Sequence, residues 1–589
     1  MFWRRGLLVG LALMAAIALH SCSFDRFKTP SAQISQVTIP TPSGPSTFNS
    51  PLNQSYFSVF GFLYEGLLSQ NPVTGELEPD LAESWQVSAD RQQIIFTLRE
   101  GLKWSDGRTL DADDVVFTYN DVYLNEKIPA DVKDILRVGI SRSFPQVKKL
   151  DRRRVEFTLS EPFAPFLRFV GGLDILPAHI LRETVETNDA NGNPKFLSTW
   201  GLDADPQSVV GNGPYIMESF APGQRVVFRR NPHYWRRDEA GNAQPYIERV
   251  VWQIVESSES QLVRFRSGEL DAIATDPRAF ELLKREEKRG RFSIYEGGPD
   301  VATRFVGFNL NQASRKPDGE DPLVDPIKSR WFNTLAFRQA VAYAIDRETM
   351  TNNIYRGLGT QQHSPIYPIS PYFLSPAAGL KVYTYSPEKA KTLLLEAGFS
   401  YNSQGALLDA EGNRVEFTLL VKAEEKPRVD MAAQIQQNLG EIGIKANLQT
   451  LNFNAILDRL ARGDWECYVG GFAGGSLDPH SGFNIWSSSG RLHQFNQGPQ
   501  PGDPPLYNWT VSDWEKEIDR LFIEGARELD ETKRKAIYAK FQQIVQEQLP
   551  FFYLVNQLSL DAVRDRIQGI QYSALGGAFW NIYEEYIAD

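Results

Sequence analysis

The chain has 589 residues, of which 42% are hydrophobic, 12% aromatic and 23% charged, and its formal net charge is −11. This length exceeds what a single hydrophobic core organises and predicts roughly three or four domain-sized units. Because nucleic-acid binding needs clustered Lys and Arg, and no long basic run occurs, the composition excludes a nucleic-acid partner.

The first predicted elements are a signal segment and a tether. Arg4 and Arg5 precede an apolar run over 6–19, which is typical of a secretory signal and too short to span a bilayer comfortably. The sequence Leu19-His20-Ser21-Cys22 resembles a bacterial lipobox, although His20 is an unusual residue there. We expect residues 1–21 to be removed, Cys22 to carry lipid and residues 22–36 to form a polar tether. A plain signal peptide with a chance cysteine is the alternative.

The chain contains two cysteines, Cys22 and Cys467. If Cys22 carries lipid, Cys467 has no partner for an intramolecular disulfide, so the fold depends on hydrophobic cores. Cys467 stands inside a strand pattern, which predicts a buried and unreactive thiol.

The first half of the chain predicts strands over 94–98, 154–159, 226–229 and 249–255. Between the first two, Asp111 is expected to cap a helix on which Val115, Tyr119 and Val122 share one face. The polar stretch 312–330 predicts a surface loop.

The region 386–470 alternates between helices and strands. Ser386 and Pro387 begin a helix that ends at Gly398, and a buried strand is expected over 415–421. A helix over 432–440, a strand over 444–451, a helix over 455–461 and a strand that leads into Gly470 follow. This succession predicts a largely parallel sheet with helices on its faces, which is an α/β fold.

The stretch 470–480, GGFAGGSLDPH, therefore lies at the carboxyl end of a strand in an open α/β sheet. Ligands prefer such crevices, and glycine lets the backbone approach a ligand closely. Further along the chain, two apolar stripes have helical spacing and predict core-facing helices: Trp514, Ile518 and Leu521, then Ile537, Phe541, Ile544 and Val545.

The glycine stretch lacks the Lys-Ser/Thr that a phosphate loop requires, and no spaced dinucleotide fingerprint or nucleophile elbow occurs. His480, His493 and Asp478 match no known zinc spacing. We therefore predict no catalytic residue, no metal and no cofactor. Asp478 and Pro479 have two interpretations of equal weight: Asp478 contacts the ligand, or it caps a helix whose first position is Pro479.

The run 81–120, LAESWQVSADRQQIIFTLREGLKWSDGRTLDADDVVFTYN, resembles the signature of the family 5 extracellular solute-binding proteins, the dipeptide- and oligopeptide-binding lipoproteins of ABC importers. Further motifs of that family follow in order along nearly the whole mature chain: YEGLL at 64–68, GNGPY at 211–215, RNPHYW at 230–235, SGELD at 267–271, FRQA at 337–340, AIDR at 344–347 and YSPEKA at 385–390.

The resemblance implies a two-lobed, periplasmic-binding-protein-like fold that closes on its ligand, with an extra domain inserted in the first lobe. Residues 37–70, 206–299 and 544–589 would form lobe I, residues 71–205 the extra domain, and residues 300–543 lobe II. The partners implied are a peptide or other small solute, the transmembrane subunits of an ABC permease, and a membrane reached through the lipid anchor. We expect an extracytoplasmic or periplasmic monomer.

The resemblance also implies the site. The equivalent loop of peptide-binding relatives gives backbone hydrogen bonds to the ligand and a carboxylate that pairs its α-ammonium. The residues expected to bind the ligand are Gln54, Ser55, Tyr56, Gly471, Phe472, Ala473, Gly475, Asp478 and Trp486. Gly475 stands where the acid normally does, and an unpaired buried ammonium costs several kcal/mol. Either Asp478 or another acid replaces it, or the ligand is not a free-amine peptide.

The sequence leaves three candidate functions. The first is capture of peptides for import. The second is the same role for a neutral solute such as an oligosaccharide, stacked on Phe472, Phe483 and Trp486 with Trp465 nearby. Ordinary core packing is the alternative for each of these aromatic residues. The third is an extracellular hydrolase, for which no poised nucleophile is visible.

Overall fold

The computed structural model describes residues 34–53, 60–130, 132–139, 142–423, 425–474, 476–500 and 504–588, with Asp134 described by its backbone alone. The predicted signal segment and Cys22 lie outside these residues, as do Gln54, Ser55, Tyr56 and Gly475. None of the helices in the described ranges has the length and apolar character that a bilayer span requires.

The strands are, in chain order, β1 Gln36–Thr41, β2 Leu68–Gln70, β3 Leu77–Pro79, β4 Ala82–Val87, β5 Gln93–Leu98, β6 Gln146–Lys149, β7 Arg154–Thr158, β8 Tyr215–Ala221, β9 Arg225–Arg230, β10 Arg249–Ile254, β11 Ala272–Ala274, β12 Phe292–Pro299, β13 Thr303–Phe308, β14 Gly359–Gln361, β15 Ser400–Tyr401, β16 Leu407–Leu408, β17 Glu416–Lys422, β18 Lys445–Leu451, β19 Cys467–Phe472, β20 Phe551–Tyr553, β21 Val555–Arg564, β22 Ile567–Gln568 and β23 Tyr586–Ile587.

The α-helices are α1 Phe60–Leu63, α2 Ala112–Val116, α3 Lys133–Leu136, α4 Phe166–Gly171, α5 Ala178–Glu186, α6 Ser258–Ser267, α7 Pro277–Gly290, α8 Pro326–Asn333, α9 Leu335–Ala344, α10 Arg347–Thr349, α11 Pro387–Glu396, α12 Lys426–Glu441, α13 Phe453–Arg462, α14 Phe483–Trp486, α15 Asp513–Arg527 and α16 Glu531–Gln548. Helix α2 continues as a π-helical segment, Phe117–Tyr123.

The first hydrophobic core is built from residues between Phe48 and Trp252, and Ala526 and Ile582 join it from later in the chain. It contains two four-stranded sheets, in the orders β1-β10-β9-β8 and β4-β5-β7-β6. The capping box that Asp111 and Asp114 form at the start of α2 confirms the predicted cap. The predicted apolar face of that helix is also confirmed, because Val115, Tyr119 and Val122 are fully buried.

The second core is built from residues between Phe305 and Val555. Its sheet has the order β18-β17-β19-β13-β20. Strand β17 is parallel to both β18 and β19, as the alternation of helices and strands predicts. The sheet is not parallel throughout, because β13 enters between β19 and β20 and runs antiparallel to both.

Two predicted segments differ in length from the structure. The polar stretch 312–330 is a loop only as far as Asp325, which caps α8 through the backbone N–H groups of Ile327 and Lys328. The helix expected over 432–440 begins earlier, at Lys426, with a proline in its first turn. Helix α16 runs through the expected lobe boundary at 543/544, and both its halves pack in the second core.

The chain passes between the two cores at two neighbouring places. Residues 300–302 join β12 to β13, and Leu554 joins β20 to β21. The two crossings are bonded to each other: the Asp300 backbone N–H donates to the Gln557 carbonyl at 2.8 Å, and Asn556 Nδ2 donates to the Ala302 carbonyl at 2.7 Å. Strands β11, β21 and β12 form a small sheet beside the crossings, and β14 also pairs with β21.

Candidate ligand-binding cleft

A cavity of about 610 Å³ lies between the two cores. Its wall on the first-core side includes Leu68, Leu77 and Phe169, and its wall on the second-core side includes Phe472, Trp486 and Phe541. The volume lies within the range of about 300–1,000 Å³ that is usual for small-molecule sites. The cavity therefore has the size and position of a site that two bodies form by closing on a small solute.

Strand β19 delivers the glycine stretch to this cavity. Its first residues, Cys467 to Val469, are buried between β17 and β13, and the loop after it begins at the carboxyl end of a parallel pair. Ala473 and Gly474 line the cavity immediately after the strand ends. This is the place at which open α/β sheets present ligand sites.

The glycines of this stretch are required by the neighbouring backbone. A Cβ on Gly474 would lie 1.8 Å from the Val301 carbonyl oxygen and 2.3 Å from the Tyr367 hydroxyl. A Cβ on Gly471 would lie 2.3 Å from the Thr303 carbonyl oxygen. These distances are too short for any side chain, so residues 301–303 at the crossing explain the glycines without a ligand.

The structure places four of the predicted ligand-binding residues on the cavity wall: Phe472, Ala473, Asp478 and Trp486. Gly471 lies one residue behind the wall, where it pairs with Arg304 of β13. Gln54, Ser55, Tyr56 and Gly475 lie outside the described residues, so their role in binding stays a prediction.

The Asp478 carboxylate is held inside the protein. Arg534 Nη1 donates to its Oδ2 at 2.7 Å and Arg534 Nη2 to its Oδ1 at 2.8 Å, and both side chains are almost completely buried. Oδ1 also accepts the His480 backbone N–H at 2.9 Å and caps a short 3₁₀-helix, Pro479–Gly482. The capping interpretation of Asp478 and Pro479 is therefore confirmed.

The electrostatics of Asp478 follow from this pairing. Burial alone would raise the pKa of Asp478, but the Arg534 guanidinium outweighs burial and holds the pKa of this carboxyl below its ordinary value. The ion pair is neutral as a unit. Asp478 consequently does not offer an uncompensated negative charge to a ligand ammonium.

Three further aromatic or histidine side chains have packing roles. Trp465 packs edge-on against Tyr468, and Phe483 packs against Phe522 rather than on the cavity wall. His480, from the second core, meets Phe163 and Phe169 of the first core at ring-centroid distances of 5.1 and 6.1 Å. This aromatic contact joins the two cores beside the cavity.

Helix α15, whose buried residues Ile518, Leu521 and Phe522 belong to the second core, also makes polar contacts with the first-core region near this histidine. The Ala164 backbone N–H donates to the Ala526 carbonyl at 2.7 Å, and Arg527 Nε lies 2.6 Å from Glu161 Oε2. The contacts between the cores therefore extend from the cavity to the C-terminal end of α15.

Several wall residues carry no recognisable signal in the sequence. Phe541 belongs to a stripe that the sequence assigns to the core, yet its ring reaches the cavity edge. Arg168, Tyr367 and Tyr553 come from separate elements, α4, the segment after β14, and β20. Only the tertiary arrangement brings them together, so reasoning from local patterns missed them.

The reactive residue types show no catalytic arrangement in the part of the chain that is described. Cys467 is fully buried, and burial raises the pKa of its thiol well above the ordinary value, which keeps it protonated and unreactive. His493 Nε2 lies 2.8 Å from Glu515 Oε1 in a buried pair away from the cavity wall.

The comparisons with known proteins agree with this geometry. Residues 76–494 match the sequence profile of the bacterial extracellular solute-binding proteins, family 5 (middle). A "Probable ABC transporter-binding protein" of Deinococcus radiodurans is 28% identical over 523 residues, which cover 85% of this chain and 83% of that protein. The "Dipeptide-binding protein" of Escherichia coli is 25% identical over 530 residues, with 87% of each chain covered.

Solved structures have the same fold. The oligopeptide-binding protein AppA of Bacillus subtilis, in complex with a nonapeptide, is 22% identical with a TM-score of 0.72, and 94% of this chain and 99% of that chain are covered. The periplasmic binding protein MelB of Agrobacterium fabrum, in complex with stachyose, is 20% identical with a TM-score of 0.74, covering 94% of this chain and 85% of that chain. The predicted α/β, periplasmic-binding-protein-like fold is thereby confirmed.

Proposed function

The chain belongs to family 5 of the bacterial extracellular solute-binding proteins, and from that premise we propose that it captures a short peptide in the cleft and delivers it to the permease of an ABC importer. Members of this family bind substrates rather than convert them, so the protein is a binding protein and not an enzyme. The observation that carries the proposal is the cavity between two cores, with backbone of the glycine stretch on its wall.

A peptide suits the chemistry of this wall. Apolar and aromatic side chains dominate it, and Gln70, Thr303 and Ser481 add a few hydrogen-bonding groups. Such a wall accepts varied side chains, while polar groups fix the orientation of a main chain. Relatives named for dipeptides and oligopeptides support the same ligand class.

A neutral solute is the second candidate. A structural neighbour of the same fold is described in complex with stachyose, and Phe472 and Trp486 provide aromatic surface on the wall. An oligosaccharide needs no counter-charge, which agrees with the internal pairing of Asp478. Stacking on aromatic rings would then take the place of main-chain hydrogen bonds.

The lobes of the proposed clamp follow the two cores. We assign lobe I with its extra domain, 71–205, to the first core and to the small sheet beside the crossings, and lobe II to the second core. In the described part of the chain two short crossings connect the lobes, so closure is a rigid-body motion that the ligand favours through contacts made in the closed form.

A membrane anchor completes the proposal. The lipobox-like sequence at 19–22 supports lipidation of Cys22, which would hold a monomeric binding protein at the outer side of the cytoplasmic membrane or in the periplasm. Cys22→Ser should move the protein from the membrane fraction to the soluble fraction. A variant that stays with the membrane contradicts the anchor.

The ligand class is tested by purifying the full-length protein without denaturant and identifying the small molecules released from it by mass spectrometry. Recovery of short peptides in near-stoichiometric amount supports the first candidate. Recovery of a sugar or another non-peptide solute contradicts it and supports the second. Saturable turnover of peptides or glycosides by the purified protein would contradict a pure binding role.

A further inference from the structure

The charges on the cavity wall are unequal. Among the described residues of the wall, the charged side chains are Arg168 and Asp478. Arg534 neutralises Asp478 through two hydrogen bonds, whereas the described residues contribute no ion pair to Arg168. The wall formed by the described residues therefore carries a net positive charge at Arg168; the acid that acts on it, Glu531, lies off the wall and forms no ion pair with it.

The position of Arg168 is fixed by the structure. It lies on α4, is half-buried, and its Nη1 donates to the Gly75 carbonyl oxygen at 2.8 Å. Gly75 belongs to the hairpin between β2 and β3, and a Cβ on it would lie 3.2 Å from Leu477 Cδ1, in the loop after β19. Arg168 is thus held where the β2–β3 hairpin meets the glycine stretch after β19.

The guanidinium has donors to spare. An arginine side chain has five N–H donors in a rigid fork that matches a carboxylate, and the hydrogen bond to Gly75 uses one of them. Phe169 and Leu173, near Arg168 in sequence, are apolar and also line the cavity. A low-polarity surrounding strengthens a charge-assisted hydrogen bond and penalises an unpaired cation.

We propose that Arg168 is the anion-recognition residue of the cleft and that the ligand is a peptide or peptide-like solute held by a carboxylate. The α-ammonium is not required for binding. This proposal rests on the proposed function, because it assumes a solute in the cleft, and it deepens it by naming the recognised group. A free ammonium meets the positive charge of Arg168 on the described wall and no unpaired acid.

The test uses four probes with ligand-stripped, full-length protein in calorimetry. They are N-acetyl-Leu-Phe, its C-terminal amide, Leu-Phe, and Leu-Phe-amide, which carry a carboxylate, no charge, both charges and an ammonium alone. We expect the carboxylate probe to bind roughly 10- to 100-fold more tightly than its amide, as for a charge-assisted hydrogen bond. In Arg168→Gln this preference should fall to within about threefold.

Arg182→Gln is the matched control. Arg182 lies on α5 of the same first-core region, pairs with Asp121 at the surface, and is not on the cavity wall. It should keep the full preference for the carboxylate probe. Thermal unfolding of both variants, followed by circular dichroism, checks that each is folded, and Arg168→Lys should retain part of the preference.

The two proposals fail in different ways. If the wild-type protein binds these probes but does not distinguish the acid from the amide, or prefers Leu-Phe-amide, the role of Arg168 is wrong and peptide capture stands. If no probe binds, the co-purified ligand decides: a non-peptide solute contradicts peptide capture. In that case the role of Arg168 is supported if the ligand carries an anionic group and Arg168→Gln no longer retains that ligand. A ligand without an anionic group overturns the role of Arg168. A wild-type protein that neither carries a ligand nor binds a probe contradicts both.

Discussion

The ion pair between Asp478 and Arg534 allows a sharp test of whether Asp478 serves the fold or the ligand. Asp478→Asn preserves the size of the side chain and an oxygen that can cap the 3₁₀-helix, but it removes the charge opposite Arg534. Because both partners are almost completely buried, Arg534 is then left with an uncompensated charge. Breaking a buried pair in this way costs about 3–5 kcal/mol.

This loss of unfolding free energy corresponds to a measurable fall in the melting temperature. For a folding unit of about 150–250 residues, 1 kcal/mol moves the melting temperature by about 2–4 °C, so Asp478→Asn should lower it by roughly 6–20 °C. Differential scanning calorimetry of the ligand-stripped protein measures this for the transition that reports the second core. A protein with several cores need not unfold in one step, so the individual transition is followed.

Two further variants isolate the pair. Asp458→Asn removes a carboxylate from an exposed ion pair with Arg462 and should change stability by less than about 1 kcal/mol. The double variant Asp478→Asn with Arg534→Gln no longer contains the uncompensated charge. Its loss of stability should therefore be smaller than the sum of the losses in the two single variants. If Asp478→Asn melts within about 1 °C of the wild type and loses affinity only for free-amine peptides, Asp478 serves the ligand and not the fold.

The remaining predictions concern the glycine stretch and the contact between the cores. Gly474→Ala should lower the melting temperature and weaken ligand binding, because its Cβ would lie 1.8 Å from a backbone oxygen. The matched control is Gly440→Ala in the last turn of α12, where a Cβ meets no atom within 4 Å and should leave stability nearly unchanged. Equal effects of the two substitutions would contradict this. Gly475→Asp should tighten binding of Leu-Phe-amide about tenfold or more in calorimetry, because it supplies an acid for the ammonium, and an unchanged affinity would show that the predicted alignment is wrong. Burial lowers the pKa of His480 to about 4 from 6.5, so its neutral form is favoured in the folded state. The contribution of His480 to the free energy of unfolding is complete above about pH 6.5 and is lost as the pH falls towards 4, by up to roughly 3 kcal/mol. Thermal unfolding of His480→Leu, measured across this pH range, should lack that part of the pH dependence.

Much of the second core could be predicted from local sequence. Ser386 and Pro387 mark the start of α11, and the apolar runs over β17, β18 and β19 are separated by helices of ordinary length. These signals are sufficient because a parallel pair needs a helical crossover between its strands. They also place the glycine stretch at the correct end of β19 without any long-range information.

The remainder depends on contacts between residues that are distant in the sequence. Strand β13 enters the sheet from 303–308 and pairs with β19 at 467–472, which no local pattern can indicate. The same distance hides the reason for Gly471 and Gly474, whose neighbours are Thr303 and Val301. Arg534 on α16 neutralises Asp478, which lies far from it in the sequence, so no local pattern indicates this ion pair.

Small-angle X-ray scattering of the full-length protein, recorded after its ligand is stripped and again after that ligand is returned, shows whether two bodies close on the solute. We predict a smaller radius of gyration with ligand, because two rigid bodies joined by two short crossings in the described chain close over the cavity between them. Superimposable curves, for a ligand whose tight binding is verified by calorimetry under the same conditions, would contradict it.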